Sequence, residues 1–369
     1  MPTAKLTKLV ADLKAKFGEE SVMFADEIPL QPAVSSGSLA LDFAVGRGGF
    51  PSDRVIELAG EEGCGKTTLS LLAVTRFLDD QPDRAALIMD LEHKLSPDWV
   101  RTLVGDERME RIVYVQPDHI EQATNVFRQA VGSGQVCIAV LDSIGGAPTV
   151  RRNDNAEVAS YGGNSQGVGE FARTAAALSG KHRCLTIGIN QTRADMDGYH
   201  RMLTPGGRAW KHAVILRIQL KRSTRETVED VVNGEKVTVG HAVYAKVVKN
   251  QVAAPGRTAM WWFYHVPTER YGFGVDVLDE VVRLGILTKV VSANGGWYSH
   301  PALPADKKGD HKVNGLAALK AAITADEAVK STLVSEILAN LGDYASVVAP
   351  ISDPDAPIED GAMTRQAGA

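Results

Sequence analysis

The chain is poor in cysteine, has no long apolar run and carries no strong charge of either sign. Its 369 residues include three cysteines, Cys64, Cys137 and Cys184, at irregular spacing. That spacing makes neither a disulfide framework nor a metal site, so a reducing cytosol and a cytoplasmic location fit best. No stretch approaches the roughly 18 consecutive apolar residues that cross a bilayer, so no membrane partner is expected. The N-terminus lacks the continuous apolar core of a signal peptide. There are no internal repeats. A formal net charge of −5 argues weakly against bulk nucleic-acid binding, and any basic surface must therefore be local.

What remains is an ordinary globular composition, 44% hydrophobic and 23% charged, in a chain long enough for one large domain and one smaller one. Residues 3–17 (TAKLTKLVADLKAKF) set Leu6, Leu9, Val10, Leu13 and Phe17 at helical spacing with lysines between them. This is an amphipathic helix with one adhesive face, equally able by pattern to pack on its own domain or on another chain. A segment with Pro29, Pro32 and SSGS separates it from the glycine-rich region beyond.

From about residue 35 to 265 the pattern alternates. RVIELAG reads as a strand, 66–78 as a helix and AALIMDLE as a second strand; RIVYVQ is a third, 120–131 a helix, VCIAVLDS a fourth and CLTIGINQ a fifth. Continuous apolar strands alternating with helices predict an α/β fold with a mainly parallel sheet covered on both faces. Two later runs, VILRIQLKRS and TVGHAVYAKVVKN, flank Asn233-Gly234 and predict an antiparallel extension. Beyond about 268 comes a small α/β unit with helices near 275–284, 314–322 and 325–340 and a strand at WYS. The last twenty residues hold four acids, one arginine and three prolines, the composition of a disordered acidic tail.

Gly60-Glu61-Glu62-Gly63-Cys64-Gly65-Lys66-Thr67, with Thr68 next, matches G-x-x-x-x-G-K-[ST] in full. At average residue frequencies a chance match in a chain this long arises about once in a hundred. Glycines let backbone N–H groups turn toward phosphate, the helix N-terminus adds its dipole, Lys66 reaches the β- and γ-oxygens and Thr67 ligates Mg²⁺. Cys64 reads as a small residue, although a thiol near a helix N-terminus is often acidic. Asp142 closes a core strand, where ligands of an open α/β sheet gather, and fits the Walker B carboxylate that holds Mg²⁺ through water. Glu92 ends another strand and suits a base for the attacking water, but Asp90 lies on the same side and leaves that choice open. Gln191, an amide at a further strand end, reads equally as a γ-phosphate sensor or a loop residue.

Two Gly-rich segments, 150–167 and 192–212, come directly after core strands. The second interleaves Arg193, Arg201, Arg208 and Lys211 with Tyr199 and Trp210. Cations with a flexible backbone suit sequence-tolerant single-strand binding, while composition alone favours a solvated loop.

These residues, with SSGSLALDFAVGRGGFP, DLEHKLSP, VQPD, VLDS, INQTR, TPGGRAWK, VVKNQVAAP and GGWYS in that order, resemble the bacterial RecA recombinase family over almost the whole chain. The resemblance implies an ATP- and Mg²⁺-dependent helical filament of many subunits on single-stranded DNA, which pairs it with homologous double-stranded DNA. It implies a P-loop RecA-type core at 34–267, an N-terminal oligomerisation arm at 1–33, a small C-terminal domain at 268–345 and the tail at 346–369. Carried over by position, Lys66, Thr67 and Asp142 keep their roles, Glu92 becomes the catalytic base and Trp99 replaces a tyrosine that stacks on adenine. Gln191 couples the γ-phosphate to the second DNA loop. Gly206, Gly207, Arg208 and Arg173 match DNA-backbone positions, with Arg193 in the same loop, and Lys249 completes a neighbour's ATP site.

Gln251 stands where the family commonly has a second lysine, and the first loop aligns poorly. Such departures fit a divergent member of the kind carried by a phage or other mobile element. The competing readings are a ring-forming helicase on the same core and a non-hydrolysing, ATP-gated DNA scaffold. The arm and the C-terminal unit argue against the first, and the intact Lys66, Thr67, Glu92 and Asp142 against the second.

Overall fold

The computed structural model describes residues 3–19, 22–27, 32–146, 148, 163–192 and 205–340. Most of both Gly-rich segments, including Arg193 and Arg201, and the acidic tail lie outside the described residues. The chain divides into two compact units, Met1–Pro32 and Ala33–Ala369.

In the first unit, α1 spans Ala4–Phe17 with Lys14 and Lys16 in its last turn, where the helix dipole favours cations. None of its residues is buried, and Leu6, Leu9 and Phe17 are 44%, 53% and 58% exposed. The apolar face anticipated from the spacing is present and uncovered.

The second unit is built on a nine-stranded sheet. Its strands are β1 (Val55–Gly60), β2 (Ala85–Asp90), β3 (Ile112–Val115), β4 (Val136–Asp142), β5 (Leu185–Gln191), β6 (Leu216–Val232), β7 (Glu235–Asn250), β8 (Thr258–Tyr264) and β9 (Gly274–Val275). Their spatial order is β9-β8-β7-β6-β1-β5-β4-β2-β3. Neighbours from β6 through β1 to β3 run parallel, and β6 to β9 pair antiparallel. The helices of seven residues or more are α2 (Leu39–Val45), α3 (Lys66–Asp80), α4 (Pro97–Val104), α5 (Ile120–Gly132), α6 (Gly163–His182), α7 (Gly207–Ala213), α8 (Val277–Leu287), α9 (Leu316–Ala325) and α10 (Glu327–Ala339).

Strand periodicity sorts the core into two faces. Ile56, Leu58, Ile88, Ile138, Val140 and Ile187 join Leu69, Val74 and Phe77 of α3 on one side. Leu87, Met89, Ala139 and Leu141 join Ile120 and Phe127 of α5 and Phe171 of α6 on the other. Both faces of the parallel strands are therefore covered, which is why those strands read as unbroken apolar runs.

The antiparallel hairpin turns at Asn233-Gly234, both at positive φ, but β6 and β7 extend further toward the turn than their apolar runs. Register shifts, one of them between Arg222 and Thr227, interrupt the alternation there and mask the strand in the sequence. Residues 163–167 and 207–212, read as loop from their glycines, are helical. Tertiary packing overrides propensity at these positions: α6 packs on α5 through Phe171 and Phe127, ring centroids 5.3 Å apart.

Beyond β9, strands β10 (Ser292–Asn294), β11 (Trp297–Ser299) and β12 (Lys312–Asn314) form a small antiparallel sheet. Val281, Leu319, Ile323, Leu333 and Ile337 belong to the same apolar cluster as α2 and β8. The buried Glu280 of α8 caps α2. It accepts from Ser38 Oγ and from the Leu39 and Ala40 amides at 2.9 and 3.2 Å, and burial pushes its carboxyl up to about 7.

Candidate nucleotide-binding site

The site grows from the carboxyl ends of the parallel strands. Register pairs Gly60 with Gln191 across β1 and β5, and Asp90 with Asp142 across β2 and β4, so four strand ends meet at one rim. The β1–β5 junction is where successive strands diverge to opposite halves of the sheet, the place where open α/β sheets hold ligands.

The loop from β1 to α3 turns at Gly65, which caps α3 in the left-handed region at φ 95°. Space does not demand glycine there, since a Cβ would meet nothing within 4 Å; the backbone conformation does. Lys66 is nearly buried, and its Nζ donates to Gly60 O at 3.0 Å and Glu61 O at 2.6 Å, bracing the loop into a ring of amides. Cys64 is not the acidic thiol its position allows: burial pushes it up.

Thr67 Oγ1 donates to Asp142 Oδ2 at 2.7 Å. Burial pushes the Asp142 carboxyl up to about 6, against the Thr67 bond and with help from the charges of Glu92 and Asp90. A hydroxyl and a partly desolvated carboxylate side by side suit a hard cation. Among the described residues no cluster of three or more His, Cys, Asp or Glu could hold a metal ion.

The two carboxylates left open by strand logic have different surroundings. Asp90 is buried and accepts from the Glu92 and Leu95 amides and from Tyr114 OH, at 3.1, 3.0 and 2.9 Å, so it braces the turn after β2. Glu92 faces the rim. Its Oε1 accepts from Ser143 Oγ and, at 3.1 Å, from Gln191 Nε2, while Oε2 pairs with Lys94 at 3.2 Å. Ser143 and Lys94 stand in the runs VLDS and DLEHKLSP, but neither run marks them for a role at the site.

Beside the loop opens a cavity of about 330 Å³ lined by Gly63, Gly65, Lys66, Thr67, Thr68 and Trp99 on one side and Arg222, His241, Trp261, Phe263 and His265 on the other. Trp99 sits one turn into α4, held edge-on by Phe273 at 5.8 Å. The second wall was missed in the sequence, because its residues stand on β6 to β8 or, for His265, just past β8, with no local signature. The rings of His241 and His265 lie 5.6 Å apart. Burial, then Arg222 and His265, holds His241 down to about 4.

Lys249 does not join this cluster within the subunit. Its Nζ donates to Lys211 O at 2.9 Å and to Val214 O, closing the end of α7, and burial lowers its pKa. Gly206 and Gly207 open α7, and Arg208 and Arg173 are exposed on α7 and α6. Those two helices touch where Gly169 faces Ala209. No helix among the described residues is long and apolar enough to cross a membrane.

Residues 4–265 match the family described as the RecA N-terminal domain. The chain is 29% identical over 347 residues to Protein RecA of Acinetobacter baylyi, covering 92% of this chain and 94% of that protein. It is 32% identical over 314 residues to Protein RecA of Thermotoga neapolitana, covering 82% and 83%. Protein RecA of Mesomycoplasma hyopneumoniae is 30% identical over 320 residues, covering 85% and 88%. With the family match spanning most of the chain and the parallel-strand rim carrying its phosphate loop, the chain belongs to the RecA family.

Proposed function

We propose that the protein is a cytoplasmic DNA-dependent ATPase that assembles on single-stranded DNA as an ATP-dependent helical filament and exchanges strands with homologous duplex. The observation that carries this reading is the 3.1 Å bond from Gln191 to Glu92. It joins the strand that leads into the second DNA loop to the carboxylate best placed to activate water.

The loop amides, Lys66 and the α3 N-terminus bind the phosphates of ATP, and the flat Trp99 ring takes the base. Thr67 and Asp142 would hold Mg²⁺, which would offset negative charge on the phosphates. Glu92 accepts the proton of the attacking water at its carboxylate, and Ser143 and Gln191 orient it. Cleavage of the γ-phosphate changes what Gln191 contacts, so the loop that opens at Thr192 is sensitive to nucleotide state. Gly206, Gly207, Arg208, Arg173 and Arg193 meet the DNA backbone. Lys249 completes the ATP site of a neighbouring subunit.

The arm at 1–33 docks on that neighbour by the uncovered face of α1. Head-to-tail docking is a heterologous contact that need not close, and it builds a helix rather than a ring. Negative-stain microscopy with single-stranded DNA and a non-hydrolysable ATP analogue tests this. Long helical filaments are expected; closed rings, or bare DNA, would overturn the reading.

A further inference from the structure

Glu57 lies in β1, three residues before Gly60, and its side chain has no exposed surface. A carboxylate this far from water is tolerated when its lone pairs are filled. Three elements fill them. Asn190 Nδ2 of β5 and the Trp210 indole N–H of α7 donate to Oε1 at 2.6 and 3.1 Å. Arg217 Nε of β6 donates to Oε2.

Each donor also connects to α7 or to its ends. Asn190 precedes Gln191, and its Nδ2 donates to Pro205 O at 2.9 Å, just before Gly206 and Gly207. Trp210 is fully buried, stacks on Phe171 with centroids 6.3 Å apart, and packs against Gly188 of β5. A Cβ on Gly188 would come within 2.2 Å of the indole, so glycine there is what admits it. Arg217 pairs in register with Lys249, whose ammonium closes the far end of α7. Glu57 is thus linked to both ends of the short helix α7. Asn190 Oδ1 and Arg217 Nη2 are buried with no hydrogen-bond partner among the described residues.

We propose that Trp210, Asn190 and Glu57 form a positioning relay that carries the state of the DNA-binding segment at Gly206–Gly207 into the P-loop strand, separate from the Gln191–Glu92 contact. It rests on the ATP- and DNA-binding reading above. A shift of α7 moves two N–H donors on a buried carboxylate, where hydrogen bonds to charge are strong and directional. The backbone of Glu57 continues into Gly60, whose carbonyl holds Lys66. Coupling of this kind is reciprocal, so nucleotide must change DNA affinity by the factor that DNA changes nucleotide affinity.

Trp210→Phe keeps a ring to stack on Phe171 and removes the N–H to Glu57. The test measures affinity of the full-length protein for a labelled single-stranded oligonucleotide, with and without a non-hydrolysable ATP analogue. The ratio of the two affinities is expected to shrink at least about fivefold in the variant, the low end of ordinary allosteric coupling. An unchanged ratio overturns the relay, even if stability or both affinities fall together, because packing loss alone does that. Wild-type protein with no nucleotide effect on DNA affinity overturns the functional reading itself, and the relay with it. Should Trp210→Phe fail to fold, Asn190→Ser carries the same comparison, with the same reduced ratio expected and an unchanged ratio decisive against.

Discussion

The two ends of the proposed nucleotide cleft are built in different ways. The phosphate end is made by strand termini and one loop: Gly60 to Thr68, Asp142, Glu92 and Gln191 all lie at the carboxyl rim of the parallel strands. The base end is made by side chains projecting from the antiparallel strands, Arg222, His241, Phe263 and His265, facing Trp99 across the cavity. The first end concentrates charge and is organised for chemistry. The second sets aromatic rings and imidazoles around Trp99, a surface suited to holding a flat base. Binding that is equal in ground and transition states belongs at the base end, and binding that grows toward the transition state belongs at the phosphate end.

Mutations that separate kcat from KM sharpen this contrast. A large loss of rate is expected from Lys66→Ala, which removes the cation from the β- and γ-oxygens. Loss of one such electrostatic group typically costs about 10²–10³ in rate, so phosphate release should fall to background. Substantial hydrolysis by this variant would mean another cation serves the phosphates. A smaller effect, confined to binding, is expected from Trp99→Ala. Base–aromatic stacking is worth about 1–3 kcal/mol, which raises the ATP KM roughly tenfold with kcat little changed. Trp99→Phe should restore most of the affinity. A fall in kcat with unchanged KM would erase the distinction between the two ends.

The smallest effect is a pH dependence at the base end. His241 is held down to about 4 from an ordinary value of 6.5. The native protein therefore binds fewer protons than the unfolded chain across that window, and stability is lost as pH falls from 6.5 toward 4. His241→Gln should flatten the decline of the melting temperature over this range, read by thermal unfolding at several pH values. A wild-type decline that the substitution leaves unaltered would place the cause elsewhere.

The same contrast decides what could be read in the sequence. Phosphate-end residues are contiguous, or close a strand of recognisable apolar character, so local pattern exposes Lys66, Thr67 and Asp142 directly. Pattern alone could not separate Glu92 from Asp90. In the structure, Asp90 is taken up by two amides and Tyr114, while Glu92 bonds Ser143 and Gln191. His241 and His265 became neighbours only because β7 and β8 pair through Phe263 and His241, a register no local signal carries. Helices α6 and α7 were hidden for another reason: their glycines argue against helix, and packing on α5 and around Trp210 outweighs that preference. The parallel strands were legible because burial on both faces leaves them uniformly apolar.

Glu92→Gln tests the central claim most directly, since it changes one carboxylate of the phosphate end into an isosteric amide. ATP binding and ATP-dependent binding to single-stranded DNA should stay near the wild-type level. DNA-stimulated hydrolysis, measured as phosphate release at saturating ATP, should fall by about 10²–10⁴, the usual cost of losing a general base. Turnover near the wild-type rate would remove Glu92 from the chemistry and with it the division of labour between the two ends of the cleft.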